Sequence, residues 1–516
     1  MLHPAGRPGR YHSGQRRRWA TSSRCTPRGR HARAAVGFPH VFAFAEPSGL
    51  RPQAASAVDL SLFMSFLGTA EDYVVVEPTA PEPGAGARGS GGTVTRLASH
   101  WLAQLAELGL GGGSGLPSVV GLDEAHGLGL GPEAWKPWTW SERIAAEVGG
   151  APPGRLCPGW QDLHGKAWAA ECLAAWLEEH GPALAELAEQ DSGVAPAVCR
   201  TEGEALAVVE GLLAAGWRGA YAKAEFGWAG RGNRRVRRGD GRVARQHFAS
   251  WLRRRLEDGP VVVEPEFDRA FDFSMQLEVH GAGEAPKGHE ALAPSAQQPP
   301  RPLSGGVSVV ARHAFVADGR GVYRGTDLLP GAWLAAWARS LGDQAGRLGA
   351  SVAGSVAEVV GGRLWGAGYR GPAGVDGFAY VHPKSRRLCV RPICDVNPRY
   401  TMSRIAMEVA RKCGEVPGCP AKAAALRILP RVRAEALWAR VCGGGELADC
   451  GPGGAGEVPS AALREFGLSP PAAPDLAEGV PAGEVFRVVP LTPLGQRWRA
   501  AVPKGGLTVF LLAALQ

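Results

Sequence analysis

The stretch YAKAEFGWAGRGNRRV, residues 221–236, decides how this chain is interpreted. An apolar run containing one lysine, Lys223, opens into a loop with three glycines, Gly227, Gly230 and Gly232, and continues into arginines. Glycine has no side chain to keep backbone N–H groups away from an anion, and the lysine adds a fixed positive charge. The loop is not a Walker A sequence, in which the lysine follows the glycines at a helix start. By itself it is more simply a basic turn, since 73 of the 516 residues are glycine.

Alternating helix and strand patterns surround this loop. EGEALAVVEGLLAAG, which starts at residue 202, and VARQHFASWLRRRLEDG, which starts at residue 243, both predict helices that end at a glycine. PVVVEPEF, residues 260–267, is a continuous apolar run that predicts a strand. This alternation favours an α/β or α+β architecture.

A second motif lies in the segments VDGFAYV and CDVNPR, which predict two strands of a hairpin. Asp395 and Asn397 are two residues apart and therefore share one face of their strand, and the antiparallel partner brings Asp376 towards them. Two carboxylates and an amide carbonyl are hard oxygen ligands, suited to Mg²⁺ that bridges ATP phosphates. The alternative is that Asp395 and Asn397 cap the turn that follows.

Arginines near this motif are candidates for binding an anion. Arg399 and Arg370 lie close to it in the sequence, and Arg312 is a further candidate. A guanidinium group can neutralise an anionic substrate or a phosphoryl group during transfer.

The order of these motifs resembles the ATP-grasp superfamily over roughly residues 195–412: a lysine strand, a glycine-rich loop, V-V-V-E-P, then G-V-D and D-V-N-P-R. The resemblance implies an α+β fold in which two α+β subdomains clasp ATP. The segment WTWS upstream is similar to the region that precedes the ATP-grasp fold in uncharacterised ATP-grasp proteins. An α/β pre-ATP-grasp domain is therefore expected upstream of the ATP-grasp fold.

The resemblance also implies roles for individual residues. Lys223 would contact the α- and β-phosphates, Glu264 would be the hinge residue near the adenine, and Asp272 would lie near the ribose. The glycine loop would close over the phosphates. Asp376, Asp395 and Asn397 would bind Mg²⁺. Arg399 and Arg370 would stabilise the transferred phosphoryl group. The departure is Asp395, where the family commonly has glutamate; aspartate is shorter but still offers two oxygens.

The expected domain organisation follows from these patterns. Residues 1–50 are expected to be a disordered basic segment, residues 51–165 the pre-ATP-grasp domain, and residues 166–412 the ATP-grasp domain. A low-complexity stretch at 281–306 is expected to be a disordered insert, and residues 413–516 a C-terminal extension.

Charge is concentrated at the N-terminus. Residues 1–45 carry nine arginines, no lysine and no acidic residue, so the remainder has 48 basic against 49 acidic groups. An Arg-rich, acid-free start is typical of an organelle transit peptide, although a disordered tail or a start codon placed too far upstream fits as well. We therefore expect a cytoplasmic protein, or a plastid or mitochondrial one. We expect no membrane partner, because no apolar run reaches the roughly 18 residues of a membrane span.

The expected function is an ATP- and Mg²⁺-dependent ligase that joins a small-molecule carboxylate to an amine through an acylphosphate. Its cofactors would be ATP and Mg²⁺, and the oligomeric state stays open. Two other classes compete with this expectation. One is a non-catalytic, ATP-binding regulatory protein with the same fold; the other is a nucleic-acid-binding module built on the N-terminal arginines, which the absence of a stacking platform disfavours.

Overall fold

The chain folds into helices and three β-sheets, one parallel and two antiparallel. The computed structural model describes residues 39–44, 55–76, 90–108, 110–111, 114–184, 195–227, 232–281, 306–318, 321–328, 345–414, 421–441, 456–459, 463, 485–492, 494 and 507–515. The predicted basic segment lies outside these residues up to residue 38, as does the predicted insert from 282 to 305. Within the described parts, no helix is long and apolar enough to cross a membrane.

The first sheet is small and parallel. Its strands run in the order β3-β2-β1-β4; they are β1 (Val41–Ala43), β2 (Tyr73–Val75), β3 (Ser118–Val120) and β4 (Trp135–Pro137). The helices of this region are α1 (Ala55–Phe63), α2 (Ser90–Glu107), α3 (Leu122–Gly127) and α4 (Glu142–Glu147). This is the predicted α/β domain, but its first strand lies before residue 51. The three-residue strand has too short a pattern to be recognised locally, and its pairing with β2 and β4 on either side fixes it instead.

A second, antiparallel sheet forms a small subdomain at residues 197–265. Its strands run in the order β5-β8-β6-β7; they are β5 (Ala197–Cys199), β6 (Gly219–Ala224), β7 (Asn233–Arg237) and β8 (Val261–Pro265). Two helices, α6 (Glu202–Ala214) and α7 (Arg242–Leu256), belong to it, and helix α5 (Lys166–Leu184) precedes it. The Thr201 hydroxyl caps α6 by accepting a hydrogen bond from the Glu204 N–H at 3.2 Å.

The third sheet has nine antiparallel strands, in the order β13-β12-β9-β10-β11-β14-β17-β16-β15. They are β9 (Asp268–Val279), β10 (Val307–Ala317), β11 (Tyr323–Asp327), β12 (Gly371–Val381), β13 (Leu388–Asn397), β14 (Ala421–Pro430), β15 (Gly456–Pro459), β16 (Val485–Pro490) and β17 (Leu507–Leu515). Its helices are α8 (Ala345–Val356), α9 (Gly362–Gly366), α10 (Met402–Gly414) and α11 (Arg431–Val441), and a π-helical turn joins α8 to α9. Strands β12 and β13 form the predicted hairpin.

The C-terminal region is part of this sheet, which corrects the expectation of a separate extension after residue 412. Strand β14 pairs with β11, and β17 pairs with β14, so four of the nine strands come from this region. Buried ionic groups also join it to the first domain: Arg431 donates to both carboxylate oxygens of Asp59 at 2.9 and 2.8 Å. These pairings link residues far apart in sequence, and a local pattern does not reveal them.

The small subdomain packs against the outer end of the β12–β13 hairpin through aromatic rings. The Trp217 ring lies 5.4 Å from that of Phe267 and 6.4 Å from that of Tyr380, and Phe267 lies 5.1 Å from Phe378. All four side chains are buried. We call Trp217, Phe267, Phe378 and Tyr380 the aromatic cluster.

Candidate active site

The lysine of the opening stretch is held in a buried ion-pair network. Lys223 on β6 lies next to β8, and its Nζ is 2.6 Å from Glu264 Oε1. The other oxygen of Glu264 accepts a hydrogen bond from Arg391 Nη2 at 3.0 Å. Lys223, Glu264 and Arg391 are 6%, 2% and 5% exposed. A charged group is stable at such burial only when it is paired, and here one carboxylate serves two cations.

This pairing dominates the acid–base behaviour of the network. Burial alone would raise the pKa of Glu264, but the charges of Lys223 and Arg391 lower it below its usual range. Burial would lower the pKa of Lys223, but the neighbouring Cys394 and Glu264 side chains raise it. Both groups therefore stay ionised at neutral pH.

Lys223 also crosses from the small subdomain to the large sheet. Its Nζ lies 3.3 Å from the carbonyl oxygen of Cys394 and 3.6 Å from its Sγ, and Cys394 directly precedes Asp395. Lys166, Lys223, Glu264 and Cys394 line one pocket. Both sheets thus contribute side chains to one cleft.

The predicted metal ligands meet on the hairpin as the period of two requires. Asp376 is the cross-strand partner of Asp395, and Asn397 is the partner of Gly374. The Asn397 amide Nδ2 donates to Asp376 Oδ2 at 3.2 Å, and Ser274 on β9 donates to Asp376 Oδ1 at 2.7 Å. Burial, and next the charge of Asp395, raise the pKa of Asp376 to about 6. The two carboxylates are therefore close enough to repel each other, which is the arrangement that a cation relieves.

Lys166 is a site residue that the sequence reasoning missed. It is the first residue of α5, and its Nζ lies 2.6 and 2.7 Å from the two oxygens of Asp395. The segment HGK before an amphipathic helix was the available signal, because a lysine after a glycine at a helix start points towards anions. Burial, and then the charges of Arg399 and Lys166, lower the pKa of nearby His164 to about 3.

Arg399 reaches the cleft. Its Nη2 donates to Asn397 Oδ1 at 2.7 Å, its Nη1 donates to the Tyr400 carbonyl at 3.2 Å, and its guanidinium lies 5.6 Å from the ring of Trp138. Burial lowers the pKa of Arg399, but the charges of Asp395 and Asp376 oppose that shift. The guanidinium therefore sits next to the two carboxylates that we expect to hold the metal.

Arg370 does not join them, which corrects the prediction made from its position in the sequence. It precedes β12 and lies about 20 Å along the strand from Asp376. Its Nη1 donates to the carbonyls of Trp365 and Tyr369 at 2.9 and 2.6 Å, and its guanidinium covers the Trp365 ring. Nearness in sequence was misleading because an extended strand carries a residue away by more than 3 Å per position.

The other residues predicted to contact the nucleotide lie on β9 and in the glycine loop. Asp272 lies on β9 two residues before Ser274, and its carboxylate accepts a hydrogen bond from Arg269 Nη1 at 2.8 Å. Gly232 has φ +85°, a conformation that favours glycine, and the Gly227 N–H donates to the Ala224 carbonyl at 3.2 Å. Gly230 lies outside the described residues.

Comparisons with known proteins find resemblance only to solved structures of low sequence identity. The sequence matches no protein family and no curated protein. N5-carboxyaminoimidazole synthetase from Staphylococcus aureus, in a complex with ADP, is 12% identical, with a TM-score of 0.36 over 71% of this chain and 72% of that one. Biotin carboxylase from Campylobacter jejuni is 10% identical, with a TM-score of 0.43 over 92% and 87%.

A third structure is the biotin carboxylase domain of the Hydrogenobacter thermophilus 2-oxoglutarate carboxylase, in a complex with MgADP, ADP and bicarbonate. It is 12% identical, with a TM-score of 0.42 over 93% of this chain and 87% of that one. The described chain combines a parallel-sheet domain with two antiparallel sheets whose side chains meet in one cleft.

Proposed function

We propose that this protein is an ATP- and Mg²⁺-dependent ligase that joins a carboxylate to an amine through an acylphosphate. The observation that carries the proposal is the meeting of two sets of groups across one cleft. Lys223 and Glu264 come from the small subdomain, whereas Asp376, Asp395 and Asn397 come from the large sheet. The Lys223 Nζ to Cys394 carbonyl distance of 3.3 Å joins the two sets.

The oxygen groups of the hairpin fit a magnesium ion that is shared with phosphates. Among the described residues, no group of three or more His, Cys, Asp and Glu side chains could hold a metal ion alone. Mg²⁺ usually takes one or two carboxylates, with substrate phosphates and water completing its octahedron. Each oxygen of Asp376 accepts one hydrogen bond and keeps a second lone pair for a cation. When bound, Mg²⁺ would neutralise the phosphate oxygens.

The cations of the cleft would supply the remaining stabilisation. Lys223 and Lys166 offer ammonium groups at the two ends of the Cys394–Asp395 segment, and Arg399 offers a guanidinium group beside Asn397. In phosphoryl transfer the protein forms few covalent bonds with the substrate. Fixed positive charges around the transferred group are therefore its main contribution to stabilising the transition state. The glycine loop that follows β6 would keep water away from an acylphosphate.

The proposed reaction has two steps. A carboxylate oxygen of the first substrate attacks the γ-phosphorus, the bond to the β-phosphate oxygen breaks, and ADP leaves. The amine of the second substrate then attacks the acyl carbon, loses a proton and expels inorganic phosphate. One oxygen of the original carboxylate therefore ends in the phosphate.

An isotope experiment tests this path. The protein is incubated with MgATP and pairs drawn from a panel of amino acids, and products that lack one water are sought by mass spectrometry. For any active pair, ¹⁸O in the carboxylate should appear in the released phosphate. ADP release without isotope transfer would contradict the acylphosphate, and MgATP binding without turnover across the panel would contradict ligation.

One observation favours a second candidate, a nucleotide-binding regulatory protein without ligase activity. Lys166 Nζ engages both oxygens of Asp395, a carboxylate that the reaction would need for the metal. A protein that binds the nucleotide without transferring its phosphate could keep this pair. Metal titration in the presence of ADP separates the two candidates, since a ligase should bind Mg²⁺ together with ADP, whereas the regulatory protein should bind ADP equally well with a chelator.

A further inference from the structure

Glu225 connects the glycine loop to the start of helix α5. It follows β6 directly and is two residues from Lys223. Its backbone carbonyl accepts a hydrogen bond from the Lys166 N–H at 3.1 Å, and its carboxylate Oε2 accepts one from the Ala167 N–H at 3.1 Å. These are the first two N–H groups of α5, which have no acceptor within the helix.

The carboxylate of Glu225 is enclosed and has little room to move. The residue is 8% exposed. Gly165 lies against it so closely that a Cβ there would collide with Glu225 Oε1 and lie 2.9 Å from the Asp162 carbonyl oxygen. The glycine before Lys166 is therefore required for the approach of Glu225.

A short chain of contacts leads from this cap to the expected metal ligands. The backbone of Lys166 is fixed by Glu225, and its side chain reaches Asp395 at 2.6 Å. Asp395 is in turn the cross-strand partner of Asp376. The position of the segment that opens the glycine loop thus sets where the Lys166 ammonium group stands.

We propose that Glu225 is a positioning residue: it ties the glycine loop to the N-terminus of α5 and so holds Lys166 beside Asp395, where both meet a magnesium-bound nucleoside polyphosphate. This inference rests on the proposed nucleotide site and adds to it a residue that makes no contact with the reacting groups. Removing the side-chain cap leaves only the backbone hydrogen bond from the Lys166 N–H to the Glu225 carbonyl, so the first turn of α5 loosens and Lys166 moves away from Asp395. An amide at the same position keeps an oxygen that accepts from Ala167.

The first experiment measures nucleotide affinity by titrating MgADP into the full-length protein in a calorimeter. Glu225→Ala and Gly165→Ala should each weaken binding about fivefold, the scale of one lost helix cap. Glu225→Gln should stay within about twofold of the wild type, because its amide oxygen restores the hydrogen bond.

Thr201→Ala is the matched control, since it removes a side-chain cap from α6, a helix of the small subdomain that does not carry Lys166. It should lower the thermal midpoint without changing MgADP affinity. If Glu225→Ala binds MgADP as the wild type does, or if Thr201→Ala loses affinity as much as Glu225→Ala, the positioning role is refuted.

A second experiment needs no nucleotide and separates this inference from the proposed function. Lysines are reductively methylated in the protein alone, and the rates at Lys166 and Lys223, whose side chains are 11% and 8% exposed, are compared by mass spectrometry. Glu225→Ala should raise the Lys166 rate about fivefold and leave the Lys223 rate unchanged. Equal rates at Lys166 in variant and wild type would refute the inference, whereas a wild type that binds no MgADP would refute only the proposed nucleotide site.

Discussion

Replacing Glu264 by glutamine should destabilise the protein strongly, although it changes a single group. The glutamate is 2% exposed and balances the charges of Lys223, at 2.6 Å, and Arg391, at 3.0 Å. The amide keeps the shape but removes the negative charge, so two buried cations face each other without a counter-ion. Removing one partner of a buried ion pair costs about 3–5 kcal/mol. With an unfolding entropy of about 2.1 cal/mol/K per residue, a chain of this length loses about 1 °C per kcal/mol, so the thermal midpoint should fall by about 3–5 °C.

Differential scanning fluorimetry of Glu264→Gln beside Glu210→Gln tests this. Glu210 is an exposed glutamate on α6, so the same chemical change there should leave the midpoint unaltered. The folded-state pKa of Glu264 lies below its ordinary value of 4.5, so its contribution is present above that pH and is lost as the pH falls through the folded-state pKa. The thermal midpoints of the two variants should therefore converge at acid pH. A midpoint for Glu264→Gln within about 1 °C of the wild type at pH 7 would refute the reasoning, because it would mean that the free energy of unfolding falls by less than about 1 kcal/mol.

Three further predictions follow from the cleft and the sheet beneath it. Lys166→Met should tighten the binding of Mn²⁺ to the nucleotide-free protein, measured by electron paramagnetic resonance, because it removes the ammonium group that competes for Asp395; weaker binding would contradict the competition. Asp395→Asn should abolish Mg²⁺-dependent turnover and leave the circular dichroism spectrum unchanged, and retained turnover would refute the metal assignment. Burial lowers the pKa of His313 from 6.5 to about 3, so the imidazole stays neutral in the folded state. The free energy of unfolding should therefore fall by about 2 kcal/mol between pH 7 and pH 5. Denaturant titrations of His313→Leu should lack this fall, and a pH dependence identical to that of the wild type would contradict the prediction.

The sequence predicted the groups whose placement is local. Lys223 and Glu264 lie on neighbouring strands with clear apolar patterns, and Asp376, Asp395 and Asn397 lie on one hairpin whose period of two sets their common face. For these residues, a strand assignment and a turn suffice to bring the side chains together.

The residues that were missed depend on contacts between distant segments. Lys166 reaches Asp395 across 229 positions, Arg391 reaches Glu264 across 127, and Ser274 reaches Asp376 across 102. A lysine at a helix start and an arginine on a strand are usually solvated, so only the packing of the two sheets shows that they are buried and paired. The membership of the C-terminal strands in the large sheet was missed for the same reason, since β14 pairs with β11 about a hundred residues away.

The aromatic cluster lies where the small subdomain would pivot if the cleft opened. Trp217 stands just before β6, whereas Lys223 stands near its other end, about 20 Å away along the strand. If the rings stay packed while the charged contacts at Lys223 separate, the small subdomain rotates about the aromatic cluster. A rotation of about 5° would then move the start of the glycine loop by about 2 Å over that arm. Enlarging or trimming a ring of the aromatic cluster would thus change the extent of this rotation without altering any group in the cleft.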